Sequence, residues 1–289
     1  MPNAITLFQH YTKNLDEVYK LASKTAVLDT NPALITDGQR AGEYVVPKID
    51  MDGLGDYDRN SGYVGGSVTL TNETVKADYD RGRKFTVDAE DDEETAGVAF
   101  GVLSSEFIRT KVTPEVDAYR MAKYASLADS PVEAALSTGE EALAAISAAN
   151  KKMDDLEVPE ETRILFITPT LYDAIGDLDT TKSRKAIERF AGRIVKMPQS
   201  RFYTAIDLKN GKSDESAGGY AKASLGKAIN FMIIEPSAVI QHSTRVVNKV
   251  IRPEDNQDAD GWQFNFRNYG IADVYENKTA GIYCHHAAS

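Results

Sequence analysis

DDEETAGVAFGVLSSEFIRTKVTPEVDAYRMAKYA, residues 91–125, is the longest helical pattern in this chain, and the fold turns on it. Asp91, Asp92, Glu93 and Glu94 stand where the positive end of a helix dipole stabilises carboxylates. Beyond them Ala96, Ala99, Phe100, Leu103 and Phe107 recur at helical spacing with Val98 and Val102 alongside, giving one broad apolar stripe. Glycine and proline interrupt the stretch only at Gly97, Gly101 and Pro114. Proline cannot donate to the preceding turn, so the pattern predicts a first helix ending near Val112, after about 20 residues or roughly 30 Å. Thr113 is then expected to cap a second helix, with Pro114 in its first turn and Val116, Tyr119, Met121 and Ala122 on its buried side. A rod of this length needs a surface to lie on.

The 289 residues, 42% of them hydrophobic, suffice for one large domain or two ordinary ones. No run of 18 apolar residues offers a membrane span, and residues 1–30 lack the basic start and apolar middle of a signal peptide, which predicts a cytosolic protein with no membrane partner. A single cysteine, Cys284, excludes an internal disulfide framework and a thiolate metal cluster. The net charge of -11 disfavours a polyphosphate-binding surface. That charge is uneven: residues 37–94 hold 15 acids and 7 bases.

Outward from the rod, Leu7, Tyr11, Leu15, Val18, Tyr19 and Leu21 suggest an amphipathic arm with a helical portion, broken at Asn31-Pro32 and Asp37-Gly38. Residues 37–90 are only one-third apolar yet carry 8 of the 20 glycines. Val75, Ala77 and Tyr79 alternate with Lys76, Asp78 and Asp80, Phe85 and Val87 continue toward the helix, and Val68 and Leu70 are expected to supply the partner strand. This predicts a long two-stranded hairpin carrying a Gly-rich excursion, GLGDYDRNSGYVGG, at residues 53–66. An isolated hairpin is marginal in water, so this one is expected to rest on another subunit.

Past the rod, Ser130-Pro131 marks a boundary, and Thr138 with Glu141 forms a capping box before an Ala-rich helix toward Lys152. RILFIT at 163–168 and INFMIIE at 229–235 read as buried strands, LYDAIGDL as a helix, Thr181 to Arg193 as a basic helix, Arg193 to Met197 as a strand, and Lys209 to Gly219 as an exposed loop. The last third is strand-rich, with Trp262, Phe264 and Phe266 alternating against polar neighbours, then Tyr269 to Tyr275 and Thr279 to Cys284.

Candidate chemistry is thin. Asn256, Asp258, Asp260 and Gly261 match the start of a calcium loop, but Arg267 stands where a bidentate Glu is required; Asp56, Asp58 and Asn60 begin another that has Ser61 in place of Gly. Polar turns account for both. Gly62 to Gly66 runs on into strand, so no helix N-terminus faces an anion there. Tyr283-Cys284-His285-His286 gathers ligand types that alternate across a strand, which suggests a frayed tail. With only His10 and His242 besides, and no GxSxG elbow, a Ser-His-Asp system has little to draw on. Lys182, Arg184, Lys185, Arg189 and Arg193 read as a solvated or subunit-contact face. No catalytic, cofactor-binding or metal-ligating residue is expected.

The order of these parts, carried by GLGDYDRNSGYVGG at 53–66, DYDRGRKFTVDAEDDEET at 78–95 and FIRTKVTPEVDAYRMAKYA at 107–125, resembles the major capsid proteins of tailed bacteriophages with the HK97-type fold. The resemblance implies an α+β capsid fold in five parts. These are an N-terminal arm at 1–36, an extended β-hairpin loop at 37–90, a long spine helix with the following helix of a peripheral domain at 91–130, a mixed α/β axial domain at 131–235, and return strands at 236–289. It implies a shell subunit of the virion, not an enzyme, assembled in the host cytoplasm as pentamers and hexamers that enclose double-stranded DNA. A portal protein and a separate scaffolding protein are the implied partners, the latter because the chain enters its arm almost at once. The expected intersubunit contacts are Tyr57, Arg59, Tyr63, Asp80, Arg81, Arg83 and Lys84. Some relatives crosslink a loop lysine to a neighbour's asparagine, for which Lys48, Lys76 and Lys84 are candidate donors and Asn265 and Asn268 candidate acceptors. An encapsulin-like compartment keeps the fold and changes the cargo. An α/β enzyme is prompted by RILFITP, which lacks a Gly-rich turn and convergent acid–base residues.

Overall fold

The computed structural model describes residues 23–30, 36–37, 43–88, 104–129, 131–178, 181–258 and 260–288. The expected arm helix through Leu21, the breaks at Asn31-Pro32 and Gly38, Ser130, and the acidic start and stripe at 91–103 lie outside the described residues.

Two antiparallel strands, β2 (Glu43–Met51) and β3 (Val68–Lys76), form the hairpin, with the short β1 (Thr36–Asp37) paired to Tyr44 and Val45. The partner strand therefore differs from the expected one: Val68 and Leu70 share a strand with Val75, and both oppose residues 43–51. Pro47 and three charged residues, Glu43, Lys48 and Asp50, conceal that strand in the sequence. Tyr44 and Val75 anchor the base of the hairpin against Ile240 and Ile271. The Tyr44 hydroxyl donates to Thr244 Oγ1 at 2.5 Å. At Ala77-Asp78 the ladder ends, and β4 (Tyr79–Asp88) joins a different sheet. Asp78 ties this corner to the rod, accepting from the Tyr119 hydroxyl and from Lys123 Nζ at 2.8 Å.

The rod does not break at Pro114. Helix runs from Ser104 through a π-turn at Ile108–Val112 directly into α1 (Thr113–Leu127), and Val112 and Thr113 both keep right-handed helical angles. Proline has no N–H, and its ring collides with the carbonyl four residues back. One widened turn immediately before it relieves that collision. The Thr113 N–H reaches five residues back to the Ile108 carbonyl, where the Thr113 hydroxyl also donates at 3.0 Å. Neither the expected end at Val112 nor the Thr113 cap forms, and the described rod, 104–127, is about 36 Å long.

Two sheets receive this rod. The first places β12 (Gly261–Val274) between β11 (Val239–Ile251) and β4, all antiparallel, with Trp262 opposite Val87 and Phe264 opposite Phe85. Ile108, Val112 and Val116, one helical face at spacing four, pack with Tyr79, Phe264 and Phe266. The second sheet has the order β5 (Val132–Glu133), β13 (Ile282–His286), β10 (Ile229–Ile234), β6 (Ile164–Ile167), β7 (Ile194–Lys196). Its β10 runs antiparallel to both neighbours. Both faces are buried, which is why its strands read as unbroken apolar runs. Leu165, Ile167, Phe231, Ile233 and Tyr283 face α2 (Gly139–Asp155) and α3 (Pro169–Gly176). Phe166, Met232, Ile234 and Cys284 face Met121, Tyr124 and Ala125 near the end of α1. The rod thus bridges the two sheets.

The capping box is present: Thr138 Oγ1 accepts from Glu141 N, and Glu141 reaches back to Thr138 N. Gly139 beside it is required by contact, since a Cβ there would lie 2.1 Å from the Ala174 carbonyl oxygen. The basic helix α4 (Thr181–Glu188) is shorter than expected, and β8 (Ile206–Leu208) with β9 (Tyr220–Lys222) flanks the polar loop at 209–219. The expected frayed tail is instead β13, held between β5 and β10 with His285 and His286 buried. The apolar content of Ile282 to Cys284 seats it there. Among the described residues no helix is long and apolar enough to cross a membrane.

Candidate assembly surfaces

Beyond its anchored base the hairpin presents an apolar face to solvent. Ile49 opposes Leu70 and Met51 opposes Val68, so the four side chains share one side of the ladder, and all are more than half exposed. The opposite side carries Asp50 and Thr69. Soluble monomers seldom leave such cross-strand apolar pairs open to water.

The Gly-rich excursion is a built loop. Asp52 Oδ2 accepts from Ser67 N at 2.7 Å and Asp52 N donates to Ser67 O at 3.1 Å, closing its neck. At the tip Asp58 accepts from Asn60 N and Ser61 Oγ, and these two bonds hold its carboxyl below the usual carboxylate range. Gly62, at φ 81°, supplies the left-handed residue of the turn. Tyr57 and Tyr63 are thereby brought together, ring centroids 4.9 Å apart and both exposed, beside exposed Arg59. The calcium-like pattern from Asp56 to Asn60 is this polar turn. Its counterpart at Asn256 to Gly261 joins β11 to β12, with Asn256 Nδ2 donating to the Gly261 carbonyl and Asp258 bound to Lys84 at 3.0 Å.

The other expected contact residues lie on β4 and divide by face. Asp80 and Lys84 point one way; Asp80 takes a two-pronged bond from Arg267 on β12 at 2.8 and 2.6 Å, which lowers its carboxyl pKa. Arg81 and Arg83 share the other face with Tyr79 and Phe85. Arg81 Nε donates to Glu115 on α1 at 2.8 Å and its Nη2 to the Gly219 carbonyl at 3.2 Å, while Arg83 Nη2 donates to the Ser216 carbonyl at 2.9 Å. These two arginines draw the loop at 209–219 across toward the strand. Between loop, strand and rod opens a cleft of about 1150 Å³, floored by Phe85, Phe107, Val112 and Phe266 and rimmed by Arg83, Lys111 and Lys209.

Sequence reasoning missed a buried anchor. Asp117, with no exposed surface, accepts from Ser23 Oγ at 2.8 Å, Lys24 N at 3.0 Å, Thr25 Oγ1 at 2.8 Å and Arg201 Nη1 at 3.2 Å. Gln241 on β11 continues the network, donating to the Thr25 carbonyl and accepting from the Tyr124 hydroxyl at 2.8 Å. Residues 23–30 are thus bound to rod and sheet together. The available signal was the spacing of Asp117, Met121 and Tyr124, which puts a carboxylate on an apolar face.

Of the crosslinking candidates, Lys84 stands opposite Asn265 within one chain, and Asn268 is buried beyond a neighbour's reach. In the tail, Cys284 faces the rod while His285 stacks on Phe231 at 5.0 Å on the other face. Burial pushes the Cys284 thiol up to about 12 and lowers the His285 pKa.

No family model and no curated protein matches this chain. Solved structures do. A structure from Gordonia phage Cozz aligns at a TM-score of 0.62 and 11% identity, covering 93% of this chain and 87% of that one. The virus-like particle from Pyrococcus furiosus aligns at 0.57 and 11% identity over 96% and 99% of the two chains. The mature capsid of bacteriophage PhiM1 aligns at 0.55 and 12% identity over 87% and 83%. At such identities the likeness is one of fold, and the fold is the HK97-type α+β capsid fold that the order of parts in the sequence led one to expect.

Proposed function

We propose that this chain is the major shell subunit of a tailed-bacteriophage head, closing as pentamers and hexamers around double-stranded DNA. The observation that carries the proposal is the hairpin: on a fold shared with capsid subunits, Ile49, Met51, Val68 and Leu70 form an apolar face that its own chain leaves uncovered. Symmetric assembly covers such a face on every copy, and many modest contacts make a closed shell stable. In this reading residues 1–36 are the arm, 37–90 the extended loop laid over a neighbour, 91–130 the spine, 131–235 the axial domain and 236–289 the returning strands. Tyr57, Arg59 and Tyr63 belong to the contact at the loop tip, and Asp80, Arg81, Arg83 and Lys84 brace the loop's root. The role is structural, without catalytic residue, cofactor or metal, and the subunit resides in the virion after assembly in the host bacterial cytoplasm with a scaffolding protein and a portal.

Electron microscopy of the purified chain with its scaffold tests this. Closed particles are expected, and a persistent monomer contradicts the proposal. The near end-to-end match to a virus-like particle supports a shell subunit without specifying its contents, so the second reading is the encapsulin-like compartment, free of DNA and carrying enzyme cargo. Particle contents separate the two: packaged DNA supports the phage head, and a protein cargo without DNA supports the compartment.

A further inference from the structure

The cleft between β4, the rod and the 209–219 loop is a second unfilled surface, and its chemistry is the counterpart of the hairpin tip. Its volume of about 1150 Å³ exceeds the roughly 300–1,000 Å³ of small-ligand pockets, so a chain segment suits it better than a metabolite. The floor is aromatic, with Phe85 and Phe107 packed edge-on at 4.7 Å and only half buried. The rim carries a basic excess: Arg83, Lys111 and Lys209 line it, while its two carboxylates are already engaged, Glu115 by Arg81 and Glu106 by Arg109.

The tip has the opposite charge and the same apolar character. Residues 52–67 carry three acids, Asp52, Asp56 and Asp58, against one base, Arg59. They also expose Leu54, Val64 and the Tyr57 and Tyr63 ring pair. Aromatic side chains of two χ angles, already held together by a closed turn, lose little entropy on docking. Within one chain the surfaces do not meet, because no tip residue lines the cleft and the ladder places the tip about 25 Å from the hairpin's anchor at Tyr44 and Val75.

We infer that the cleft is the receptor for the hairpin tip of a second copy of this chain, the Tyr57 and Tyr63 rings entering over Phe85 and Phe107 while Asp56 and Asp58 meet Lys111 and Lys209. The inference rests on the shell reading and specifies where the loop of one subunit ends on the next. It also gives the 209–219 loop a task, since Arg81 and Arg83 hold it as the far wall of the receptor. Gly211 and Gly218, both in the left-handed region, let its backbone turn close against Arg83.

Zero-length carbodiimide coupling of carboxylates to amines, applied to shells assembled from equal parts ordinary and 15N-labelled chain, tests the inference without substitution. Mixed-isotope peptides joining Asp56 or Asp58 to Lys111 or Lys209 are the expected product. A second arm pairs Gly65→Cys, a position with open space around it, with Thr110→Cys on the exposed side of the rod within the cleft. The native Cys284 is buried, so oxidised shells of this variant should run as a ladder of linked chains on a non-reducing gel. Intact shells in which Lys111 and Lys209 couple to no tip carboxylate, whether to others such as Asp16 and Glu17 of the N-terminal arm or to none, and in which the double-cysteine variant stays monomeric on the gel, overturn the cleft assignment and leave the shell reading standing. Failure of the unmodified chain to form any shell overturns both.

Discussion

Replacing Ile49 and Leu70 together by threonine separates assembly from folding. The two residues face each other across the hairpin, 57% and 65% exposed, and threonine is β-branched, a shape that a strand favours. Fully burying one such side chain is worth about 1.5–3 kcal/mol, and a little over half of each remains to be buried by a neighbour. The pair therefore contributes about 2–3.5 kcal/mol to a contact, of which threonine's remaining methyl preserves about a third. A loss of about 1.5–2 kcal/mol per contact follows, which is roughly a 10- to 30-fold rise in the concentration at which shells form. The isolated subunit should hardly notice, since exposed substitutions usually stay within about 0.5 kcal/mol each. Light scattering against subunit concentration reads the first quantity and thermal unfolding of unassembled subunit the second. An unchanged assembly threshold, or a subunit that melts well below the parent, refutes the reasoning.

Three further outcomes follow from contacts within one subunit. Asp117→Ala leaves Arg201 and the 23–30 segment without their shared acceptor, and urea unfolding should show a loss of about 3–5 kcal/mol; a loss under about 0.5 kcal/mol would mean the anchor is idle. Pro114→Ala restores a helix N–H and removes the ring that the π-turn accommodates, so the subunit should gain about 1–3 kcal/mol, whereas a loss would show that packing, not proline, imposes the turn. Arg267 depresses the Asp80 pKa in the folded chain, so the stability it adds is present above the ordinary carboxylate value of 3.8 and fades as pH falls through the lower folded value. Asp80→Asn should thus lower the melting temperature slightly near neutral pH and not at all in strong acid, and an equal difference at both extremes counts against the linkage.

Much of the architecture was legible because single-face and two-face burial leave different marks. Trp262, Phe264 and Phe266 alternate with polar residues along β12, whose Phe264 and Phe266 pack beneath the rod, whereas RILFIT and INFMIIE run unbroken because helices cover one side of their sheet and the rod the other. The hairpin's first strand escaped notice because only its base is buried in the chain, at Tyr44, while Ile49 and Met51 are exposed and Glu43, Pro47, Lys48 and Asp50 stand where a buried strand has apolar residues. Pro114 misled for a different reason, since propensity favours a break, while contacts on both sides of it, Ile108 and Val112 before and Val116 after, keep the helix on its sheet. At the candidate surfaces, Tyr57 and Tyr63 could be singled out as costly to expose. The cleft could not, because Phe85, Phe107, Lys111 and Lys209 come from three separate segments and only the fold brings them together. Asp117 was hidden in plain view, its partners 84 and more residues away on both sides of it in the chain.

In the proposed shell, residues 43–76 are finished by another copy of the chain. Amide hydrogen exchange of this segment, measured in unassembled subunit and in shells under the same conditions, tests it most directly. Rapid exchange is expected along β2, β3 and the tip in the free subunit, with strong slowing in the shell, while β6 and β10 change little. Equal protection of the hairpin in both states would contradict it.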